Sequence, residues 1–303
     1  MKQLLTLVVL LVPLTAAADA PAPTPAARAK ASIEAQLVTF QRGLAGEPAF
    51  LALFEPDGVI VADRAVMTAA TIAAGMAQPY RAADHDSFEV HSLLARLFGA
   101  SGDGKTDRTI KKLKLGKVIA GGVADAVWFT FDLDVVSWST TRYRISELLV
   151  NRGGWKLAAA HIAVPQPDSW EPEEESEGDG PQDWGSFPDH PDGDAGDLAA
   201  LAVLPKVLAS SLAKNPVVFG TSARDVAIGN AAASKLLRGW GKLKLEYLDS
   251  LEVVTGTWGY AVVQVNLPGK AGFSMKMRAT IFGVPRPGGG WQVVVAQYSR
   301  VRW

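Results

Sequence analysis

One segment of the chain occurs twice, and this duplication constrains the architecture more than any other feature. Residues 153–164 read GGWKLAAAHIAV and residues 289–301 read GGWQVVVAQYSRV, which places Trp155 and Trp291 136 residues apart. A repeat of this length has the size of a domain rather than that of a solenoid unit. The chain has 303 residues and is 48% apolar, so it can bury two cores. We therefore expect two domains of one fold.

The composition changes abruptly between the two copies. Residues 165–197 contain twelve acidic residues and no Lys or Arg; the full chain has a net charge of −1, so the remainder has +11. A segment rich in proline, glycine and acid buries too little apolar surface to fold. It therefore predicts a flexible acidic linker between a first domain at 32–164 and a second domain at 198–303.

The N-terminus has the features of a secretory signal. Lys2 precedes an apolar run from Leu4 to Leu14, and small residues follow it. This run is too short to span a bilayer comfortably, and no later segment reaches about 18 apolar residues. Residues 1–20 therefore predict a cleaved signal peptide and export to the periplasm or the medium, with an uncleaved anchor as the alternative. The Pro- and Ala-rich residues 21–31 predict an extended spacer.

The two halves show the same order of elements. Apolar residues at helical spacing predict helices at the start of each half, and alternating patterns predict long strands after them. Helices followed by a run of antiparallel strands indicate an α+β fold. The first predicted helix begins near residue 32, and further helices are predicted at 64–77, 198–213 and 230–237. The predicted strands cover 59–62, 87–98, 107–120, 124–136, 140–151, 154–164, 217–219, 243–255, 258–267, 273–284 and 290–301.

Each half resembles a SnoaL-like domain of the nuclear transport factor 2-like superfamily. The resemblance rests on a final hairpin with a Gly-Gly-Trp turn and on the strands before it. These read ADAVWFTF (124–131) and TTRYRISELLV (140–150) in the first half, and WGYAVVQV (258–265) and FSMKMRATIF (273–282) in the second.

The resemblance implies a strongly curved antiparallel sheet that wraps against N-terminal helices and forms a cone with a pocket at its open end. Two such cone-shaped domains are expected here. The superfamily includes isomerases, dehydratases and cyclases together with binding and accessory domains, so the fold alone does not define an activity.

The strand phase selects candidate site residues in the first half. In one strand Glu147 is the only acid in an apolar row, and an unpaired buried carboxylate is costly. In the next strand His161 shares a face with Trp155 and Leu157, which predicts that it points to the concave side. Glu147 and His161 could then form a proton-transfer pair on one wall. The alternative is that they only satisfy each other or nearby backbone, as buried polar groups usually do.

The second half offers no equivalent pair. Ile281 stands in place of the acid, and Gln297 stands in place of the histidine. Ser299 shares the face of Gln297 and could orient a ligand, but it has no histidine beside it to activate it. Beyond the pair, the expected pocket residues are Tyr143, Ile145, Leu157, Met277, Gln297 and Ser299.

Other classes of site lack support in the sequence. The chain has no cysteine, which excludes disulfides and thiolate chemistry, and it has no nucleotide-binding or zinc-protease motif. The cluster Asp84-His85-Asp86 is more typical of an exposed turn than of a metal site. The basic residues from 108 to 117 lack interleaved aromatics, which argues against nucleic acid. No metal and no cofactor is predicted.

Three functions remain open. The favoured one is a non-catalytic module that binds a small apolar ligand or a partner. The second is an isomerase, dehydratase or cyclase that uses Glu147 and His161 in the first domain. The third is a structural role, in which the open sheets pack on each other or on another copy to form a homodimer.

Overall fold

The computed structural model describes residues 22–42, 47–62, 65–77, 110–136, 139–166, 197–268 and 274–301. The predicted signal peptide, Asp84-His85-Asp86 and the strand expected at 87–98 lie outside the described residues, as do residues 167–196 of the linker. Within the described part of the chain, no helix combines the length and hydropathy needed to cross a membrane.

The first helix begins earlier than predicted. Thr24 is its N-cap and accepts a hydrogen bond from the backbone N–H of Ala27, and Pro25 occupies the first turn. Both residue types favour a helix start, because the cap satisfies a free donor and proline needs none. The prediction of an extended spacer at 21–31 is therefore wrong for the residues from Pro25 onward.

The described residues of the first half form a seven-stranded sheet with helices on one side. Its helices are α1 (Pro25–Gln41), α2 (Glu47–Leu51) and α3 (Ala69–Met76). Its strands are β1 (Phe54–Ala62), β2 (Val66–Thr68), β3 (Lys112–Leu115), β4 (Ile119–Gly122), β5 (Ala126–Val136), β6 (Thr140–Asn151) and β7 (Trp155–Ala163). The strand order is β2-β1-β7-β6-β5-β3, and β4 also pairs with β5.

The second half repeats this plan with six strands. Its helices are α4 (Asp197–Ala200), a 3-10 helix (Leu201–Val203), α5 (Pro205–Ser210) and α6 (Asn230–Trp240). Its strands are β8 (Leu212–Phe219), β9 (Val226–Ile228), β10 (Glu246–Val254), β11 (Gly259–Pro268), β12 (Ser274–Pro285) and β13 (Trp291–Arg300). The strand order is β10-β11-β12-β13-β8-β9.

Two details of the prediction are wrong. The single helix expected over 198–213 is divided into short pieces, because Pro205 lacks the backbone N–H that a continuous helix needs. Each sheet is mixed rather than antiparallel, since β1 pairs in parallel with β7 and β8 pairs in parallel with β13. The curved α+β architecture itself is confirmed.

Each sheet has two buried faces. One face of each sheet packs on the helices of its own domain. In the first half this face forms the first core, which includes Phe129 and Phe131, and in the second half it forms the second core, which includes Ala279 and Tyr298. The opposite faces of the two sheets pack against each other in a third apolar cluster that contains residues from both halves. We call this the interdomain face.

Candidate functional site

Glu147 lies on the concave face of the first sheet, in the row that the alternation of β6 predicts. Its neighbours Ile145 and Leu149 belong to the first core, as does Tyr143 one step further along the strand. Glu147 has no exposed surface. Its carboxylate oxygen Oε2 accepts a hydrogen bond of 2.7 Å from Nε2 of Gln36, which projects from helix α1.

Gln36 was not predicted as a site residue, although the sequence contains a signal for it. Ile33, Leu37 and Phe40 form the apolar stripe of helix α1, and Gln36 interrupts that stripe. A polar residue on a buried helix face needs a partner. In the structure Gln36 is 1% exposed, and its Nε2 also lies 3.4 Å from the hydroxyl oxygen of Ser32.

The environment of Glu147 favours its neutral form. Burial raises the pKa of Glu147 to about 8, and the hydrogen bond from Gln36 only partly opposes this shift. Because Oε2 accepts the bond from Gln36, Oε1 is the natural position for the proton. Neither Oε1 of Glu147 nor Oε1 of Gln36 has a hydrogen-bond partner among the described residues. The first cone therefore holds one unsatisfied donor and one unsatisfied acceptor inside an apolar core.

His161 does not share this wall. In the pairing of β6 with β7, Leu148 is opposite Ala159 and Leu149 is opposite Leu157, so Ala158 is an extra residue in β7. Such a β-bulge reverses the face of every residue that follows it. Leu157 consequently faces the first core as expected, whereas His161 points to the interdomain face. The prediction that His161 points to the concave side and shares one wall with Glu147 is wrong.

His161 is held by hydroxyl groups of the second domain. Its Nδ1 lies 2.8 Å from the hydroxyl oxygen of Thr280, and its Nε2 lies 2.8 Å from that of Ser299. The ring has no exposed surface. Burial, with a smaller contribution from the charge of Arg278, lowers the pKa of His161 to about 3. A neutral imidazole in this position holds the two domains together and is closed to a ligand in the cone.

Gln297 and Ser299 occupy the same interface instead of a second pocket. Strand β13 contains the equivalent bulge at Val294, because Phe282 is opposite Val295 and Gly283 is opposite Val293. The hydroxyl of Ser146 donates to Oε1 of Gln297. Nε2 of Gln297 in turn donates to the backbone oxygens of Arg144 and His161. The prediction that Gln297 and Ser299 line a concave pocket is therefore wrong.

The concave face of the second domain differs in character from that of the first. Met277 packs in the second core, and Ile281 occupies the position of Glu147. The hydroxyl of Tyr298 donates to the backbone oxygen of Ala202, so this polar group is satisfied inside the domain. Among the described residues, the buried acid and the unsatisfied oxygens of Glu147 and Gln36 thus lie in the first cone.

The two halves share one architecture. In each, helices cover one face of a curved mixed sheet. The last strand lies between the first strand of that half and the strand that comes immediately before it in the sequence. Each half therefore has the curved α+β architecture that was predicted. Solved structures that are similar to parts of the chain are described as NTF2-like or ketosteroid isomerase-like proteins, and each matches about a third to a half of it.

Three structures illustrate these matches. An NTF2-like protein from Cytophaga hutchinsonii is 11% identical over 45% of this chain and 95% of its own, with a TM-score of 0.31. An NTF2-like protein of unknown function from Pseudomonas putida is 18% identical over 34% of this chain and 77% of its own, with a TM-score of 0.29. A ketosteroid isomerase-like protein from Erwinia carotovora is 12% identical over 35% of this chain and 95% of its own, with a TM-score of 0.27. No protein-family model and no curated protein sequence matches the chain.

The buried histidine makes a prediction about acid stability. The pKa of His161 is about 3 in the folded protein and near 6.5 when unfolded, so acid protonates the unfolded state first. Stability from this group is complete above pH 6.5 and is lost as the pH falls towards 3. His161→Gln, which installs the residue of the second copy, should remove this loss. Relative to the parent, the variant should gain about 2–3 kcal/mol between pH 7 and pH 4.5.

Urea unfolding of both proteins at the two pH values measures this difference. Comparison of the variant with the parent isolates His161, because every other titrating group is present in both. An equal pH dependence in the two proteins would contradict the assignment.

Proposed function

We propose that the first NTF2-like domain binds a small, largely apolar ligand that carries one polar group. The supporting observation is the pair of unsatisfied oxygens on Glu147 and Gln36, which are buried in an apolar cone. Buried polar atoms without partners are rare and costly, and a ligand that supplies the missing hydrogen bonds offsets that cost. A ligand with a carbonyl or hydroxyl oxygen can accept from neutral Glu147, and a hydroxyl can also donate to Gln36.

A Nile red titration tests this site, because the dye is uncharged and apolar and carries a carbonyl acceptor. Glu147→Leu removes the donor and should weaken binding about five- to tenfold, the equivalent of one hydrogen bond. Glu147→Gln retains a neutral donor and should retain binding. Above pH 8 the parent should lose affinity as Glu147 ionises, whereas Glu147→Gln should not.

The control for this titration is Glu34→Gln, because Glu34 lies exposed on the same helix as Gln36. It should bind the dye as the parent does at every pH. Unchanged affinity in Glu147→Leu would remove the site from consideration. A native mass spectrum of the purified protein can then identify a ligand that remains bound.

Proton transfer is the second candidate, and the raised pKa of Glu147 favours it. A carboxyl group with a pKa of about 8 exchanges protons near neutral pH, as a general acid or base does. Since His161 faces away from the cone, Glu147 would act with Gln36 as its orienting partner. Enolisable ketones incubated with the protein in D2O should exchange their α-protons, and Glu147→Gln should abolish the exchange while binding persists. The absence of exchange for every ketone that binds would leave the binding function alone.

We also propose that the protein is exported. The support is the N-terminal sequence, in which a basic residue, a short apolar run and small residues follow one another. Expression in a Gram-negative host should yield a periplasmic product whose intact mass corresponds to cleavage after Ala18 or Ala20. Recovery of a cytoplasmic product that retains Met1 would contradict export.

A further inference from the structure

The interdomain face joins two related surfaces that differ in side-chain volume. The registers around the two bulges identify equivalent positions, because Leu148 pairs with Ala159 as Phe282 pairs with Val295. At four equivalent positions of the shared cluster the second domain has the larger residue, whereas at one position Trp128 of the first domain is larger than its equivalent Tyr260. The four first-to-second pairs are Ala126 and Trp258, Leu148 and Phe282, Ala158 and Val294, and Ala159 and Val295.

The two domains also offer different numbers of hydrogen-bonding groups on this face. His161 needs two partners, and the second domain supplies both with Thr280 and Ser299. The residues of the first domain at those two positions are Ser146 and Ala163. A second copy of the first domain could therefore offer His161 one hydroxyl, and the other ring nitrogen would be buried without a partner.

We infer that the interdomain face selects its partner, so that a first domain accepts a second domain and rejects another first domain. Two first domains would lack side-chain volume at these four positions and would leave voids, which tightly packed interiors do not tolerate. They would also leave one nitrogen unsatisfied on each histidine. Two second domains would place Phe282, Trp258 and their large neighbours against themselves and overpack the interface. The face therefore joins the two halves and prevents two chains from associating through like domains.

One contact marks the axis that relates the two domains. The hydroxyl of Thr257 donates to Oδ2 of Asp125 at 2.7 Å. These residues are equivalent, because Trp128 pairs with Leu148 as Tyr260 pairs with Phe282, and Asp125 and Thr257 each lie three positions before Trp128 and Tyr260. Equivalent residues that touch lie at the pseudo-two-fold axis. In a pair of first domains, two copies of residue 125 would meet in the same way.

This geometry and the absence of cysteine allow a direct test with the full-length chain. Three variants are prepared: Asp125→Cys, Thr257→Cys and the double variant. Each is treated with a short bismaleimide and separated on a denaturing gel, and intact mass identifies the products. We expect the double variant to be cross-linked between its two cysteines and both single variants to remain uncross-linked. A covalent dimer of either single variant would show that like domains pair, and would overturn the inference.

A second set of variants changes the selection. His161→Gln gives the first domain the glutamine that the second has at Gln297, and Ser299→Ala gives the second domain the alanine that the first has at Ala163. Phe282→Leu reduces the difference in side-chain volume. In this background, Asp125→Cys should gain an interchain product that the parent background lacks. Circular dichroism confirms that the combined variant is folded. If it is unfolded, Phe282→Leu with Asp125→Cys alone replaces it. A folded variant that forms no interchain product would contradict the role assigned to these residues.

Discussion

Glu147→Gln is expected to be more stable, relative to the parent, at pH 8 than at pH 4.5. The difference in the free energy of unfolding between variant and parent should increase by roughly 2–4 kcal/mol over this range. Burial raises the pKa of Glu147 to about 8, whereas an unfolded glutamate ionises near 4.5. Between these values the folded state retains a proton that the unfolded state releases, so the parent loses stability as the pH rises. Glutamine has the same shape, still accepts the hydrogen bond from Gln36, and does not titrate.

Urea unfolding at pH 4.5, 6 and 8 measures this effect. Glu246→Gln is the matched control, because Glu246 is exposed on β10 and the same chemical change is made there. The stability difference between Glu147→Gln and the parent should increase with pH, and that of the control should not. A constant difference for Glu147→Gln would mean that the carboxyl group titrates normally in the folded protein.

A stabilising substitution at a buried acid also supports a functional use of that acid. Natural proteins retain groups that reduce stability where binding or chemistry needs them, and replacement of such groups raises stability at the expense of function. The equivalent residue of the second domain is Ile281, so the fold itself does not require an acid at this position. Glu147 and Gln36 are therefore the side chains of the first cone on which the proposed ligand site rests.

The two perturbed groups act in opposite directions with pH. His161 reduces stability as the pH falls from 6.5 towards 3, and Glu147 reduces it as the pH rises from 4.5 to 8. Between pH 4.5 and 6.5 their contributions change in opposite senses and largely cancel. These two groups together favour maximal stability in that interval, and single substitutions at either position separate their contributions.

Alternation along the strands predicted one candidate residue correctly and failed for the other, for a physical reason. Strand β6 alternates without interruption from Tyr143 to Glu147, so its face could be predicted from the sequence. In β7 the extra residue at Ala158 reverses the faces. The run of three alanines from Ala158 to Ala160 gives no sign of the bulge, because an alanine suits either buried face. The misplacement of His161 follows from this one residue.

The duplication predicted two domains and left open whether their sheets pack on each other or on another copy. The strand patterns treat a residue as buried or exposed, whereas each sheet here has two buried faces. When a single domain is considered, strand alternation places Ser146 and Thr280 on the face opposite its core, where solvent is expected. The partner domain makes them buried and hydrogen-bonded. The run of buried residues from Tyr143 to Val150 shows this burial on both sides of β6, which is the pattern of a strand covered on both faces.

Phe282→Ala is expected to lower the free energy of unfolding by about 3–5 kcal/mol, because Phe282 is fully buried where the two domains meet. The shared cluster should make the parent unfold in a single calorimetric transition. Loss of the ring weakens the contact between domains more than either domain, so the transition should broaden or split.

Phe129→Ala is the matched control, since it removes the same side chain from the core of the first domain. It should lower the melting temperature while the interdomain cluster still joins the domains in one transition. Two transitions in the parent, or identical profiles for the two variants, would show that the interface does not couple the domains. A split confined to Phe282→Ala would identify the interdomain face as the element that makes the two domains unfold as one unit.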